Sequence, residues 1–194
     1  MTLSTTPHRR FAMRHNVWRT CAKGLVSSLA LATSAAFATD CNLHLSSAEV
    51  SYGNLLRSDL ATGAPMLSLG KRQLTLTVTC QQPTAIGLRL DGVAADQDSY
   101  LFGKQGRFTV SLGQATVDGR SVQLARVSDA ASEAAASVLL RPNERVTALS
   151  DGARAKSEVF SAQVEIETTI ADAATRPRDV TLMQGHAIFQ IDTE

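Results

Sequence analysis

The side chains of this chain that could do chemistry fall into three small groups. Asp96 and Asp98, in Asp-Gln-Asp, and Glu165 and Glu167, two positions apart, each put a pair of carboxylates on one side of an extended chain. Such pairs can act as general acid and base or hold calcium, but a calcium loop needs more oxygen ligands and a glycine in a D-x-D-x-D-G frame. Neither pair has that frame, so the aspartates are expected to solvate a turn and the glutamates a strand face opposite Val164 and Ile166. His44 and His186 could begin a metal site if the two terminal strands paired. Two ligands without a third at a recognisable spacing specify no metal, so both are expected to face solvent. Arg141, Arg145, Arg154 and Lys156 could form a sugar- or sulfate-binding patch, although charges spread over loops usually keep a surface wet. No G-x-S-x-G, H-E-x-x-H, P-loop or dinucleotide glycine pattern occurs. The expectation is no enzyme, no cofactor and no metal.

Whatever positions these groups must come from 194 residues that carry 19 Lys plus Arg against 18 Asp plus Glu. No concentrated basic run exists, so a nucleic-acid partner is not expected. Five of the basic residues, Arg9, Arg10, Arg14, Arg19 and Lys23, precede a small-residue apolar run from Gly24 to Phe37, and no acid appears before Asp40. This is the pattern of a secretory signal peptide over residues 1–38. Ala36-Phe37-Ala38 supplies the small residues the peptidase accepts, which places cleavage between Ala38 and Thr39 and makes 39–194 the mature domain. Met13 is an alternative start. The apolar run is too short to cross a hydrocarbon core of about 30 Å, which takes roughly 20 residues, so the mature chain is not expected to span a membrane. Arg9-Arg10 lies far from the apolar run for a twin-arginine signal, and Thr39-Asp40 before Cys41 do not fit lipoprotein processing.

Cleavage leaves 14 basic and 18 acidic residues, and it removes Cys21 and Trp18. Cys41 and Cys80 remain as an even pair in an oxidising compartment, where a disulfide is the default. With Tyr52 and Tyr100 as the remaining tyrosines, an aromatic platform for carbohydrate is poorly supplied and no independent lectin site is expected.

Period-two alternation runs through the mature segment. Leu74, Leu76, Val78 and Cys80 point one way and Thr75, Thr77 and Thr79 the other. The same pattern predicts strands around Ile86, Leu88 and Leu90; Phe108, Val110 and Leu112; Val122 and Leu124; Phe160, Ala162, Val164 and Ile166; and Met183, Ala187, Phe189 and Ile191. A phase change between Leu45 and Val50 predicts an interrupted first strand. Asp118-Gly119 reads as a two-residue hairpin, and Asp91-Gly92 and Asp151-Gly152 as further turns. The alanine-rich stretch from Asp129 to Ser137 has no apolar stripe and is expected to be a loop or one helical turn. Short strands with glycine punctuation and no crossover helix predict an all-β antiparallel sandwich of immunoglobulin type.

Cys41-Asn-Leu-His-Leu, Val50-Ser-Tyr-Gly53, the Thr-rich run from Leu69 to Cys80, and Gly185-His-Ala-Ile-Phe-Gln-Ile191 together resemble the chaperone-usher fimbrial subunits, and a little-characterised branch of fimbria-like bacterial proteins more closely. The resemblance implies an immunoglobulin-like sandwich lacking its final strand, with a groove filled by a strand from a periplasmic chaperone and then from a neighbouring subunit. It implies that Cys41 and Cys80 tie the first strand to the second, and that Val50, Tyr52, Ala187, Phe189 and Ile191 edge the groove. The implied partners are the chaperone, an outer-membrane usher, other fimbrial subunits and a host or surface receptor. The implied location is the periplasm, then the cell surface or medium. Two departures stand out. Only Thr39 and Asp40 precede Cys41, leaving no donor extension, and Thr193 stands where the family tends to carry an aromatic. A tip-located, adhesin-like subunit that accepts but does not donate follows. The alternative is a self-complete secreted β-sandwich binding module.

Overall fold

A computed structural model describes residues 41–60, 64–127, 133–175 and 181–193. The expected leader and its Ala38/Thr39 cleavage site lie outside the described residues, as does part of the alanine-rich stretch, of which Ala135 to Ser137 show no helix. The described chain is all-β and antiparallel, apart from two single 3-10 turns, Arg57–Asp59 and Asp172–Thr175.

The strands run in the order β1 (Cys41–Leu45), β2 (Met66–Gly92), β3 (Tyr100–Phe102), β4 (Gly106–Val117), β5 (Arg120–Ser121), β6 (Gln123–Val127), β7 (Ser137–Leu140), β8 (Arg145–Ser150), β9 (Ala153–Arg154), β10 (Lys156–Ala171) and β11 (Ala187–Thr193). One sheet has the order β1–β2–β10–β4, with β3, β7 and β5 along the far edge of β4. The other has the order β11–β2–β8–β6, with β9 folded back on β8. β2 belongs to both. Its first part, to Cys80, pairs with β1 and β10, and its last part, from Ile86, pairs with β11 and β8. The sequence predicted two separate strands here, because Gln81-Gln82-Pro83-Thr84 interrupts the apolar alternation. The chain instead absorbs those residues in a register shift against β10, where Ser157 faces Thr84 and Val159 faces Thr79. A corner strand of this kind lets one segment serve two layers.

Inward side chains from both sheets merge into one sandwich-like core. Leu76, Val78, Leu112, Phe160, Ala162 and Val164 come from the first sheet, and Ile86, Leu88, Leu90, Leu124, Val146 and Ala148 from the second. The predicted inward phases of β2, β4 and β10 agree with this burial. Three assignments differ. Val122 sits between strands, Met183 precedes β11 instead of belonging to it, and Asp91-Gly92, expected as a turn, forms the end of β2 in register with Ile188 and Ala187. The Asp118-Gly119 turn joins Val117 to Arg120 with φ of 47° and 79°, and Asp151-Gly152 joins Ser150 to Ala153 with 51° and 79°. Both positions of each turn need a left-handed backbone, which Asp-Gly tolerates.

Tyr100 is the largest wholly buried side chain. Its hydroxyl donates to the Leu90 carbonyl at 3.1 Å, and its ring stacks on Phe108 with centroids 5.4 Å apart. Burial, aided by the Asp91 and Glu144 carboxylates, pushes the phenol up to about 12. The folded state therefore keeps a proton that an unfolded tyrosine loses near pH ~10. This contribution to stability is complete below the unfolded value and is lost as pH rises through the folded one. Thermal midpoints measured across that alkaline window should fall in the native protein and fall less in Tyr100→Phe. Parallel curves for the two proteins would show that the phenol is not held protonated.

Candidate functional site

Among the described residues, one flank of the sandwich is closed and the other is not. On the closed flank, β6 bridges to Ala135 just before β7 through Leu124, whose amide and carbonyl both bond Ala135. Opposite edges of the two sheet orders are then β1 and β11. Each pairs only with β2 among the described residues. An edge strand presents an unpaired row of N–H and C=O groups, which is the template for adding a strand.

β11 is placed by its alternation. Ala187, Phe189 and Ile191 turn inward and pack on the core, with Phe189 opposite Leu90 and Ile191 opposite Leu88. Outward, the Gln190 amide oxygen accepts from Arg89 at 2.5 Å, and Ile188 is 68% exposed. Asp192 is ion-paired with Arg145 at 2.8 Å. The inner residues of β11 are half-buried, whereas Leu88 and Leu90 beside them are each 2% exposed. β1 repeats the contrast. Cys41, Leu43 and Leu45 are half-buried opposite the buried Cys80, Val78 and Leu76. Cys41 and Cys80 are disulfide-bonded, which fastens this edge strand to β2. The core thus thins along both free edges.

The interruption expected in the first strand falls after Leu45. Ser46 makes one more bond, its amide to the Thr75 carbonyl at 2.9 Å, and the chain leaves the ladder. Val50 and Tyr52 therefore lie on a strap, not on a strand edge. Tyr52 donates to Thr168 Oγ1 at 2.9 Å, meets Phe102 edge-on at 6.5 Å, and carries the Arg72 guanidinium 4.8 Å above its ring. Thr168 is buried on the inner face of β10, so the Tyr52 ring covers one end of the core. Further along, Arg57 pairs with Asp172 at 2.7 Å. Of the residues expected to edge a groove, Ala187, Phe189 and Ile191 share one free strand, and Val50 and Tyr52 belong to the strap.

The remaining candidates are dispersed. Asp96 pairs with Arg107 and Asp98 with Arg141, so each aspartate has its own cation. The Ser99 hydroxyl and the Asp98 amide hold the Asp96 carboxyl below the usual carboxylate range, with Arg107 adding to the effect. Glu165 and Glu167 lie on the outer face of β10 and share Lys71, at 2.7 and 3.8 Å. The hydrogen bond from Lys71, then that from Gln73, holds Glu165 low. Arg141 and Arg145 are committed to Asp98 and Asp192, so the four basic residues do not form one anion patch. His44 is on β1 and His186 precedes β11, and those strands flank different parts of β2 without pairing with each other. No group of three metal-ligating side chains occurs among the described residues, and no helix there is long and apolar enough to cross a membrane.

One feature escaped the sequence reading. Gln114 adopts φ of 48° where β4 slips register against β10, a bulge that keeps Ser111, Gly113 and Thr116 all on the outer face. A hollow of about 710 Å³ opens there, lined by β4, β5, β7 and β10. Its signal was the phase change between Leu112 and Ala115. No family model matches the chain, and no curated protein matches it.

Proposed function

We propose that this chain is a non-enzymatic structural or adhesin-like subunit of a chaperone-usher fimbria, exported to the periplasm and then to the cell surface. Its β11 edge accepts a strand first from the chaperone and, after the usher, from a neighbouring subunit. The observation that carries this reading is the outer edge of β11, unpaired among the described residues, whose inward Ala187, Phe189 and Ile191 remain half-buried beside the buried Leu88 and Leu90 of β2. A secretory-type leader and the disulfide on β1 support it. An incoming strand would add main-chain bonds along β11 and set alternate apolar side chains over the thin part of the core. A tip position follows from the short segment before Cys41, and it leaves the exposed surface to meet a receptor.

The test is thermal unfolding of the exported protein, alone and with a synthetic strand of alternating apolar residues or with the cognate chaperone. At a partner concentration of about 100 Kd, binding to the native state alone stabilises it by roughly 2.7 kcal/mol. For a domain of this size that is a rise of about 5 to 10 °C in the midpoint. Phe189→Ala should reduce the rise. A cooperative transition that no partner moves would instead establish the self-complete secreted module.

A further inference from the structure

We infer that the outer face of the first sheet carries a binding site for a neutral saccharide, centred on Gly113. The inference stands apart from strand acceptance, because the site faces away from the core and uses neither β1 nor β11.

Three features of the hollow point to this ligand. The first is its chemistry. Ser111, Thr116, Ser121 and Ser137 line it with four hydroxyls, none of which has a hydrogen-bond partner among the described residues. Each hydroxyl both donates and accepts, as a sugar hydroxyl does, and the Gln114 and Gln163 amides add both functions. Gln163 uses its Nε2 on Gln73 at 3.2 Å, so its amide oxygen is not engaged by that bond. The second feature is charge. The one ionised group in the lining, Glu165, is already held by Lys71 and Gln73, and no cation lines the hollow. A phosphate, sulfate or uronate would find no cation in the lining to pair with. The third is shape. Gly113 lies between Gln163 and Ser137 in the ladder, and a Cβ built on it would come 3.4 Å from Ser137 Oγ. Its missing side chain makes the floor, and the exposed Ala136 supplies small apolar surface for the C–H face of a ring. A hollow of about 710 Å³ is within the usual size of small-molecule sites, roughly 300 to 1,000 Å³.

Recognition here would rest on hydroxyls arrayed across strands, and not on an aromatic platform. A row continues from the hollow across five strands, with His44, Thr77, Ser161, Thr116 and Ser121 in register. The hollow is open, so the terminal unit of a longer glycan fits as well as a free sugar.

The probes are methyl glycosides of mannose, galactose and N-acetylglucosamine, with lactose as a neutral disaccharide, titrated into the isotopically labelled protein by NMR. At least one probe should bind in the millimolar range or tighter, shifting amides from Ser111 to Thr116 and at Ser137. Gly113→Leu, which fills the floor, should weaken that binding by about tenfold or more. Ser137→Ala, which cannot disturb the backbone, should weaken it by several-fold, and a sialylated probe should bind less well than its neutral parent. The inference is overturned if no neutral probe shifts these amides at ~20 mM, a concentration that would reveal even a free energy near −2.3 kcal/mol. It is equally overturned if the shifts map elsewhere, or if both variants bind within twofold of the native protein.

Discussion

Removal of the Cys41–Cys80 bond, by Cys41→Ser together with Cys80→Ser, is expected to lower the unfolding free energy by about 4 kcal/mol. The bond joins residues separated by 39 positions in sequence, so it withdraws a large loop from the freedom of the unfolded chain. It also acts where the native state has least else to hold it. β1 has five residues, one ladder partner and half-buried inward side chains, and beyond Ser46 the chain leaves the sheet. Against a typical total of roughly 5–15 kcal/mol, the loss is a large fraction. Chemical denaturation of the oxidised protein and the double variant gives the difference directly. Hydrogen exchange should show β1 amides losing protection first, ahead of β10. A difference below about 1 kcal/mol would mean that β1 is held by its ladder alone, against the loop-closure account.

Phe160→Ala is expected to cost a similar amount, about 3 to 5 kcal/mol, for a different reason. Phe160 is 2% exposed on β10, the strand with β2 on one side and β4 on the other, and it lies in register with Val78 and Val117. Truncation there removes apolar area from water exclusion and leaves a void that flanking strands on both sides cannot close by sliding, because their ladders fix them. The urea midpoint should fall with little change in slope, since the surface exposed on unfolding is nearly the same. Phe160→Leu should retain much of the stability. An alanine variant within about 1 kcal/mol of the native protein would contradict a packed core at this point.

How much was legible in the sequence varies from element to element. The inward residues of β10 and of the first part of β2 were visible because a half-buried strand forces a period of two. The hairpin at Asp118-Gly119 was visible because the turn demands left-handed backbone at both positions. Val122 and Met183 kept the apolar phase while lying outside strands, since phase records which way a side chain turns and not whether the backbone pairs. The candidate site was legible in part. Ala187, Phe189 and Ile191 share the inward face expected of them, while Tyr52 anchors to Thr168 through a hydrogen bond between residues 116 positions apart, which no local pattern announces. The ion pairs of Asp96, Asp98 and Arg145 were hidden for the same reason.

What the sequence determined by itself was local: strand periodicity, turn positions, the even cysteine pair and the all-β class, each set by covalent geometry and neighbouring residues. What the tertiary structure decided was pairing. It showed β2 turning through both sheets past Pro83, β1 and β11 left as free edges among the described residues, and a bulge at Gln114 opening a hollow above Gly113. These follow from long-range contacts, in which every candidate strand offers the same backbone donors and acceptors, so only the packing of the whole core selects one partner over another.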